Sequence, residues 1–112
     1  MAIESHRLDS TFAALSDPTR RAILARLTLG EATVSELMQP FALSQPTISK
    51  HLKVLEGAGL IETDRDAQRR PRRLKAETMK DIADWIEPFR ILWERRFDNL
   101  DRHLVSKMHK EK

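Results

Sequence analysis

Cysteine is absent from this chain of 112 residues, which removes disulfides, thiolate metal sites and thiol redox chemistry together and fits a reducing compartment. Glycine is nearly as scarce, at three residues, and no glycine-rich phosphate loop or nucleophile elbow is present. Long apolar runs are missing as well. Nothing approaches the roughly 18 residues needed to cross a bilayer, and the opening MAIESHRLDS lacks the cationic start and apolar stretch of a secretion signal. These absences predict a soluble, cytoplasmic protein with no membrane partner. Charge of one sign does not dominate either: 20 Lys and Arg stand against 17 Asp and Glu, a net +3 too weak by itself to imply a polyanionic partner. The length suits one domain over 1–112 with a single core.

What is present is local. Between Arg65 and Lys75, six basic residues (Arg65, Arg69, Arg70, Arg72, Arg73 and Lys75) meet only Asp66, a balance of +5 that leaves about −2 for the remaining chain. Like charges at this density repel one another and invite an anionic partner.

Periodicity and punctuation divide the chain into elements. Leu8, Phe12 and Leu15 recur at helical spacing and predict a first helix over roughly Leu8 to Leu15, with Ile3 extending its face. Asp17 followed by Pro18 reads as an N-cap and a proline at the first helical position. The second helix ends near Gly30, with Ile23, Leu24 and Leu27 inward and Arg21 and Arg26 outward. Thr33 and Glu36 have capping-box spacing and open a short third helix that stops near Gln39, because Pro40 disfavours helical geometry before it. Phe41, Ala42 and Leu43 form a turn. Ser44 caps a fourth helix, with Pro46 inside its tolerant first turn and Leu43 set to staple against Ile48. On that helix Ile48, Leu52 and Leu55 share one face, Pro46, Ser49, Lys50 and Lys53 the opposite one, and Gly57 and Gly59 end it.

Leu60 to Arg65 and Arg72 to Ala76 then pair as a hairpin whose tip is rich in turn formers and arginine, and such a hairpin must lean on the helices for stability. From Glu77 onward Ile82, Ile86, Phe89, Trp93, Phe97, Leu100 and Leu104 follow a near-heptad seam that asks for a partner surface. Pro88 interrupts the seam and predicts either a kinked helix or two helices meeting at Glu87 and Pro88; the polar tail from Ser106 is expected to fray. The expected fold class is mainly α with a small β-hairpin: a helix-turn-helix over 33–58, a wing over 60–76, and one or two C-terminal helices over 77–105.

A bracing helix followed by a helix with an apolar back and a polar front near its N-terminus suits the major groove of double-stranded DNA. Ser44 opens that front. Gln45 offers paired donor and acceptor atoms to adenine, Thr47 and Ser49 suit base edges or phosphate, Lys50 reaches guanine or phosphate, and Lys53 suits phosphate. Arg69, Arg70, Arg72 and Arg73 add guanidinium groups for phosphate or a narrow minor groove, on a tip stiffened by Pro71. His51 lies beside the apolar face, where packing or a backbone hydrogen bond is a better expectation than base reading.

The stretches DPTRRAIL from Asp17 and SQPTISKHLKVLEGAGLI from Ser44, together with the basic wing, resemble the ArsR family of bacterial winged-helix repressors over about positions 8 to 105. The resemblance implies a homodimer joined by the first and last helices, which would place Leu8, Phe12, Leu15, Ile86, Phe89, Trp93, Phe97 and Leu100 at the dimer interface, and an inverted-repeat operator whose occupancy blocks transcription. Many members sense metals through a cysteine pair at the start of the third helix. The corresponding stretch from Glu31 to Leu37 carries Thr33 and Ser35, which do not replace thiolates. Another family site uses histidines on the last helix, and none occurs here between Glu77 and Arg102, while Asp101, His103 and His109 lack ligand spacing. No metal and no cofactor are expected.

The effector, if one exists, is unknown from the residues. Trp85, Phe89, Trp93 and Phe97 either fill the interface or line a small-molecule pocket between protomers, with packing the stronger expectation. An enzyme is not expected, because no convergent catalytic motif is present. A winged-helix module for a protein partner stays open, whereas RNA reading lacks its aromatic stacking surface.

Overall fold

The computed structural model describes the backbone of residues 2–110 and the side chains of residues 7–104; the Ile3 and His109 side chains lie outside them. The elements run α1 (Ala2–Ala14), α2 (Pro18–Leu27), α3 (Val34–Met38), α4 (Gln45–Gly57), β1 (Ile61–Thr63), β2 (Arg72–Leu74) and α5 (Ala76–Lys110). The chain divides after Lys80 into two compact units.

In the first unit, α1 starts at Ala2, several residues earlier than its apolar stripe predicts. No proline or glycine lies between Ala2 and Ala14, so nothing stops the helix from propagating beyond the stripe. Its C-terminal carbonyls are satisfied from the next helix. Arg20 donates Nε to the Ala14 carbonyl at 2.7 Å and Nη2 to that of Ala13 at 3.3 Å, while Arg21 Nη1 reaches the Leu15 carbonyl at 2.7 Å. Asp17 caps α2 by accepting the Arg20 amide at 3.0 Å, and Pro18 sits where its missing donor costs nothing.

The capping box of α3 is complete: Glu36 Oε1 accepts the Thr33 amide at 3.1 Å and Thr33 Oγ1 accepts the Glu36 amide at 3.3 Å. The turn that follows holds Ala42 at φ 54°, left-handed geometry that a β-carbon disfavours. Ser44 Oγ then accepts the Thr47 amide at 3.4 Å to start α4. Ile48, Leu52 and Leu55 are buried along its back, with Ile23, Leu24, Leu27, Leu37, Leu60 and Ile61 completing most of the core. Gly59, at φ 75°, closes the helix in a Schellman turn: its amide donates to the Glu56 carbonyl and that of Leu60 to the Leu55 carbonyl, both at 3.0 Å.

The hairpin pairs Ile61 with Leu74, Glu62 with Arg73 and Thr63 with Arg72. The strands are shorter than the sequence predicts, although single bonds from Lys75 to Leu60 and from Asp64 to Pro71 continue the ladder at either end. How the hairpin leans on the helices was not predicted. Ala32, just before α3, exchanges two backbone hydrogen bonds with Arg72, at 3.0 and 2.8 Å, and so acts as a one-residue third strand. The first turn of α5 is fastened to the same region by Thr78 Oγ1, which donates to the Gly59 carbonyl at 2.6 Å.

In the second unit α5 is one continuous helix that passes through Pro88, so the division into two helices at Glu87 and Pro88 is not found. Proline removes one amide donor, and Asp84, one turn earlier, is exposed, so water can hydrate the carbonyl left over. Arg90 braces the same stretch, bonding Glu87 with Nε at 3.0 Å and Glu94 with Nη1 at 2.7 Å. The backbone stays helical to Lys110 rather than ending at Ser106.

Two outcomes follow for stability. Replacing Ala42 with glycine is expected to stabilise the fold by roughly 0.5–1 kcal/mol, the left-handed cost exceeding the added chain entropy; a lower urea midpoint at unchanged m-value would contradict this. The Arg20 amide, first among its neighbours, holds the Asp17 carboxyl below its ordinary value of 3.8. The stabilisation it confers is therefore complete above that value and lost as pH falls through the folded one. Asp17→Asn, still a competent cap, should flatten the acid limb of a thermal-melt series below about pH 4.

Candidate nucleic-acid interface

The polar front of α4 begins at its cap. The Ser44 and Thr47 hydroxyls lie 2.9 Å apart, and Ser44 also accepts the Thr47 amide, so both are committed to starting the helix. Gln45 is exposed in the first turn, and Ser49, one turn later, shares its face. These two residues form one wall of an open groove of about 630 Å³; the opposite wall is the hairpin, with Gln68, Arg69, Arg70 and Arg72, and the start of α3 closes the end with Thr33, Val34 and Ser35. Three guanidinium groups and no carboxylate line it. Lys50 and Lys53 are exposed on α4 outside this lining.

The hairpin tip is built by local bonds. Asp64 Oδ1 accepts the Asp66 amide at 3.2 Å and the Ala67 carbonyl accepts the Arg70 amide at 3.0 Å, bringing Arg70 into left-handed geometry at φ 46°. Pro71 follows, and a residue before proline is already restricted. Arg72 Nη1 donates to the Arg70 carbonyl at 2.8 Å, bracing the tip from below. Burial lowers the Arg72 pKa, the Glu56 carboxylate opposes that shift, and the like charges of Arg70 and Arg65 reinforce it. Arginine stays charged under such a load.

Arg73 is placed differently. Strand alternation turns it to the face opposite Arg72, where its Nε donates to Glu62 Oε1 at 2.7 Å across the cross-strand pair. That hydrogen bond and the Glu62 charge raise its pKa. Of the four predicted wing arginines, the groove gathers Arg69, Arg70 and Arg72 and leaves Arg73 out. Thr33, Ser35 and Gln68 were not singled out for this surface. The capping box announced Thr33 as structural, and only the Ala32–Arg72 bridge brings the start of α3 beside the wing.

His51 lies behind the polar front, half-buried, with Nδ1 3.5 Å from Arg20 Nη1 and 3.9 Å from Asp17 Oδ2. It joins a side-chain cluster rather than bonding to the backbone. The residues predicted for a protomer interface occupy exposed or half-exposed positions. On α1, Leu8 is half-buried and Phe12 is exposed, and Leu15, which the sequence predicts on this helix, lies half-buried in the turn just past its end. On α5, Ile86 is half-buried, Phe89, Trp93, Phe97 and Leu100 are 43–61% exposed, and the Trp85 and Phe89 rings meet at a tilt of 42° with centroids 4.9 Å apart. Among the described residues no three His, Asp or Glu side chains gather to hold a metal ion, and no helix is long and apolar enough to cross a membrane.

A bracing helix, a reading helix with a polar front and an arginine-bearing hairpin define a winged helix-turn-helix module of the DNA-binding kind. The family model described as a helix-turn-helix domain matches residues 15–64, from the end of α1 through β1. The transcriptional repressor SdpR of Bacillus subtilis (strain 168) is 35% identical over 82 residues, covering 73% of this chain and 91% of the relative. A crystal structure of an ArsR family transcriptional regulator superposes with a TM-score of 0.70 at 40% identity, over 80% of this chain and 93% of that one. An ArsR-like transcriptional regulator from Rhodococcus sp. RHA1 gives 0.66 at 32% identity, over 88% and 92%. The chain belongs to the ArsR family of winged helix-turn-helix transcriptional regulators. It is a DNA-binding transcriptional repressor, and its family is one of regulators rather than enzymes.

Proposed function

We propose that the chain acts in the cytoplasm as a homodimeric repressor that reads an inverted-repeat operator in double-stranded DNA without a metal signal. The observation that carries this reading is the groove in which Gln45 and Ser49 face the guanidinium groups of Arg69, Arg70 and Arg72 with no carboxylate in the lining. Gln45 and Ser49 contact base edges, with Gln45 suited to the paired donor and acceptor of adenine. Ser44 and Thr47 present the helix end to the backbone, and Lys50 and Lys53 meet phosphates beside the groove. Arg69, Arg70 and Arg72 grip the phosphate backbone flanking the reading helix. Arg73, already held by Glu62, contributes to the hairpin rather than to the contact.

Two copies join through Leu8 and Phe12 of α1, Leu15 just after it, and Ile86, Phe89, Trp93, Phe97 and Leu100 of α5. This sets two α4 helices into successive major grooves about one DNA turn, roughly 34 Å, apart. A promoter so occupied excludes polymerase. The exposed aromatic residues of α5 favour a partner surface made of the same residues, since apolar patches rimmed by charge are sites of association.

Selection from a randomised duplex library, followed by fluorescence anisotropy with the selected and a shuffled duplex at several salt concentrations, tests the reading. A specific regulator enriches one inverted repeat and binds it at least about 10³-fold more tightly than the shuffled duplex. Gln45→Ala should lower that ratio. Arg70→Ala should weaken both duplexes alike and reduce the salt slope by about 0.9, whereas Arg73→Ala should leave the slope unchanged. Failure to enrich any sequence would remove the inverted-repeat operator from this reading. Trp93→Glu with Phe97→Glu should yield monomers in sedimentation and weaken operator binding by about two orders of magnitude; a variant that stays dimeric would place the interface elsewhere.

A further inference from the structure

Glu56 sits in the last turn of α4, and both of its carboxylate oxygens are taken by the wing. Oε2 accepts from Thr63 Oγ1 at 3.2 Å and Oε1 from Arg65 Nη2 at 3.1 Å. Thr63 is the last residue of β1 and Arg65 lies just beyond it. The beginning of the same strand is fixed by the Schellman turn, through the Leu60 amide on the Leu55 carbonyl. The far end of β1 is paired only with the hairpin's other strand, through Thr63 and Arg72, and Glu56 is the side chain that ties that end to α4 itself. β1 is thus tied to α4 at both ends, and it carries the hairpin whose Arg69, Arg70 and Arg72 face Gln45 and Ser49 across the groove.

The sign of the charge makes the same point. An acidic side chain beside an arginine-rich surface opposes a polyanion, and Glu56 also occupies Arg65, whose side chain is otherwise 71% exposed. For affinity alone, a neutral residue at position 56 would serve better. We propose that Glu56 is a positioning residue that fixes the wing against the reading helix and thereby sets sequence discrimination, at the expense of raw affinity for DNA. The proposal rests on the DNA-binding reading above.

The full-length protein, its selected duplex and a shuffled duplex provide the test, with affinity measured across a salt series. Glu56→Asp keeps the charge but is one methylene too short to meet Thr63 and Arg65 together. Glu56→Gln keeps the reach and an acceptor for Thr63 while releasing Arg65. Arg65→Ala removes the partner from an exposed position and keeps the test valid should Glu56→Asp lower the melting temperature. Glu56→Asp and Arg65→Ala are expected to reduce the ratio of specific to shuffled affinity about tenfold, with the Arg65→Ala salt slope unchanged because that guanidinium is not on a phosphate. Glu56→Gln is expected to bind the shuffled duplex several-fold more tightly and to steepen the slope by up to about 0.9.

An unchanged ratio in both Glu56→Asp and Arg65→Ala would overturn the proposal. So would a slope reduced by about 0.9 in Arg65→Ala, which would make Arg65 a phosphate contact. A wild-type protein with no preference between the duplexes is a separate failure, that of the DNA reading itself.

Discussion

Two backbone hydrogen bonds between Ala32 and Arg72 hold the remainder of this surface in register. A hairpin of three residues per strand has too little buried area and too few ladder bonds to persist alone. With Ala32 on its outer edge, β2 is paired on both sides, and the segment entering α3 becomes part of the same sheet. The bridge therefore ties the bracing helix to the wing directly, while the buried back of α4 ties both to the core. The groove is the space left between these three attachments. Its frame is main-chain pairing and helix packing, and its chemistry is added by the exposed side chains of Gln45, Arg69 and Arg70.

Charge in the first unit is distributed by the same logic. Arginines on the groove side of the hairpin have no acidic partner in the groove, whereas Arg73 on the other face has Glu62 and Arg65 has Glu56. An arginine neutralised in place contributes little to the field felt by a polyanion, because an ion pair is a weak long-range source. The local balance of +5 in the sequence thus overstates the charge that points one way. Arg69, Arg70 and Arg72 converge on the groove beside the front of α4.

Signals confined to one turn of chain were legible from the residues alone. The Asp17 cap, the Thr33 and Glu36 box, the Ser44 cap and the Gly59 stop each involve groups within a few positions, so local geometry decides them. The core faces of α2 and α4 followed from period alone. Three kinds of feature did not. Ala32 meets Arg72 only after the chain has folded back on itself, and no local pattern marks an alanine as a strand. Arg72 and Arg73 look equivalent until the strand register assigns them to opposite faces. The reach of Arg20 to the end of α1, and of Glu56 to Arg65, depends on how helices and strands are brought together. Pro88 was a local signal that overstated itself, since one lost donor in a solvated helix is a small perturbation to thirty-five residues of regular backbone.

The junction between α1 and α2 is three residues long, and just beyond it the first turn of α2 carries Arg20 and Arg21, side chains that trypsin-like proteases favour. Here Arg20 and Arg21 have folded back onto the carbonyls of Ala13, Ala14 and Leu15, so that the side chains a protease must draw into its specificity pocket are the ones closing the junction. Cleavage after either residue first requires the clasp to open, along with the start of α2. The hairpin tip has no such protection at Arg69, which is exposed, while the bond after Arg70 is shielded by Pro71. The molecule thus guards the joint that its helices share and leaves the bond after Arg69 exposed at the rim of the groove.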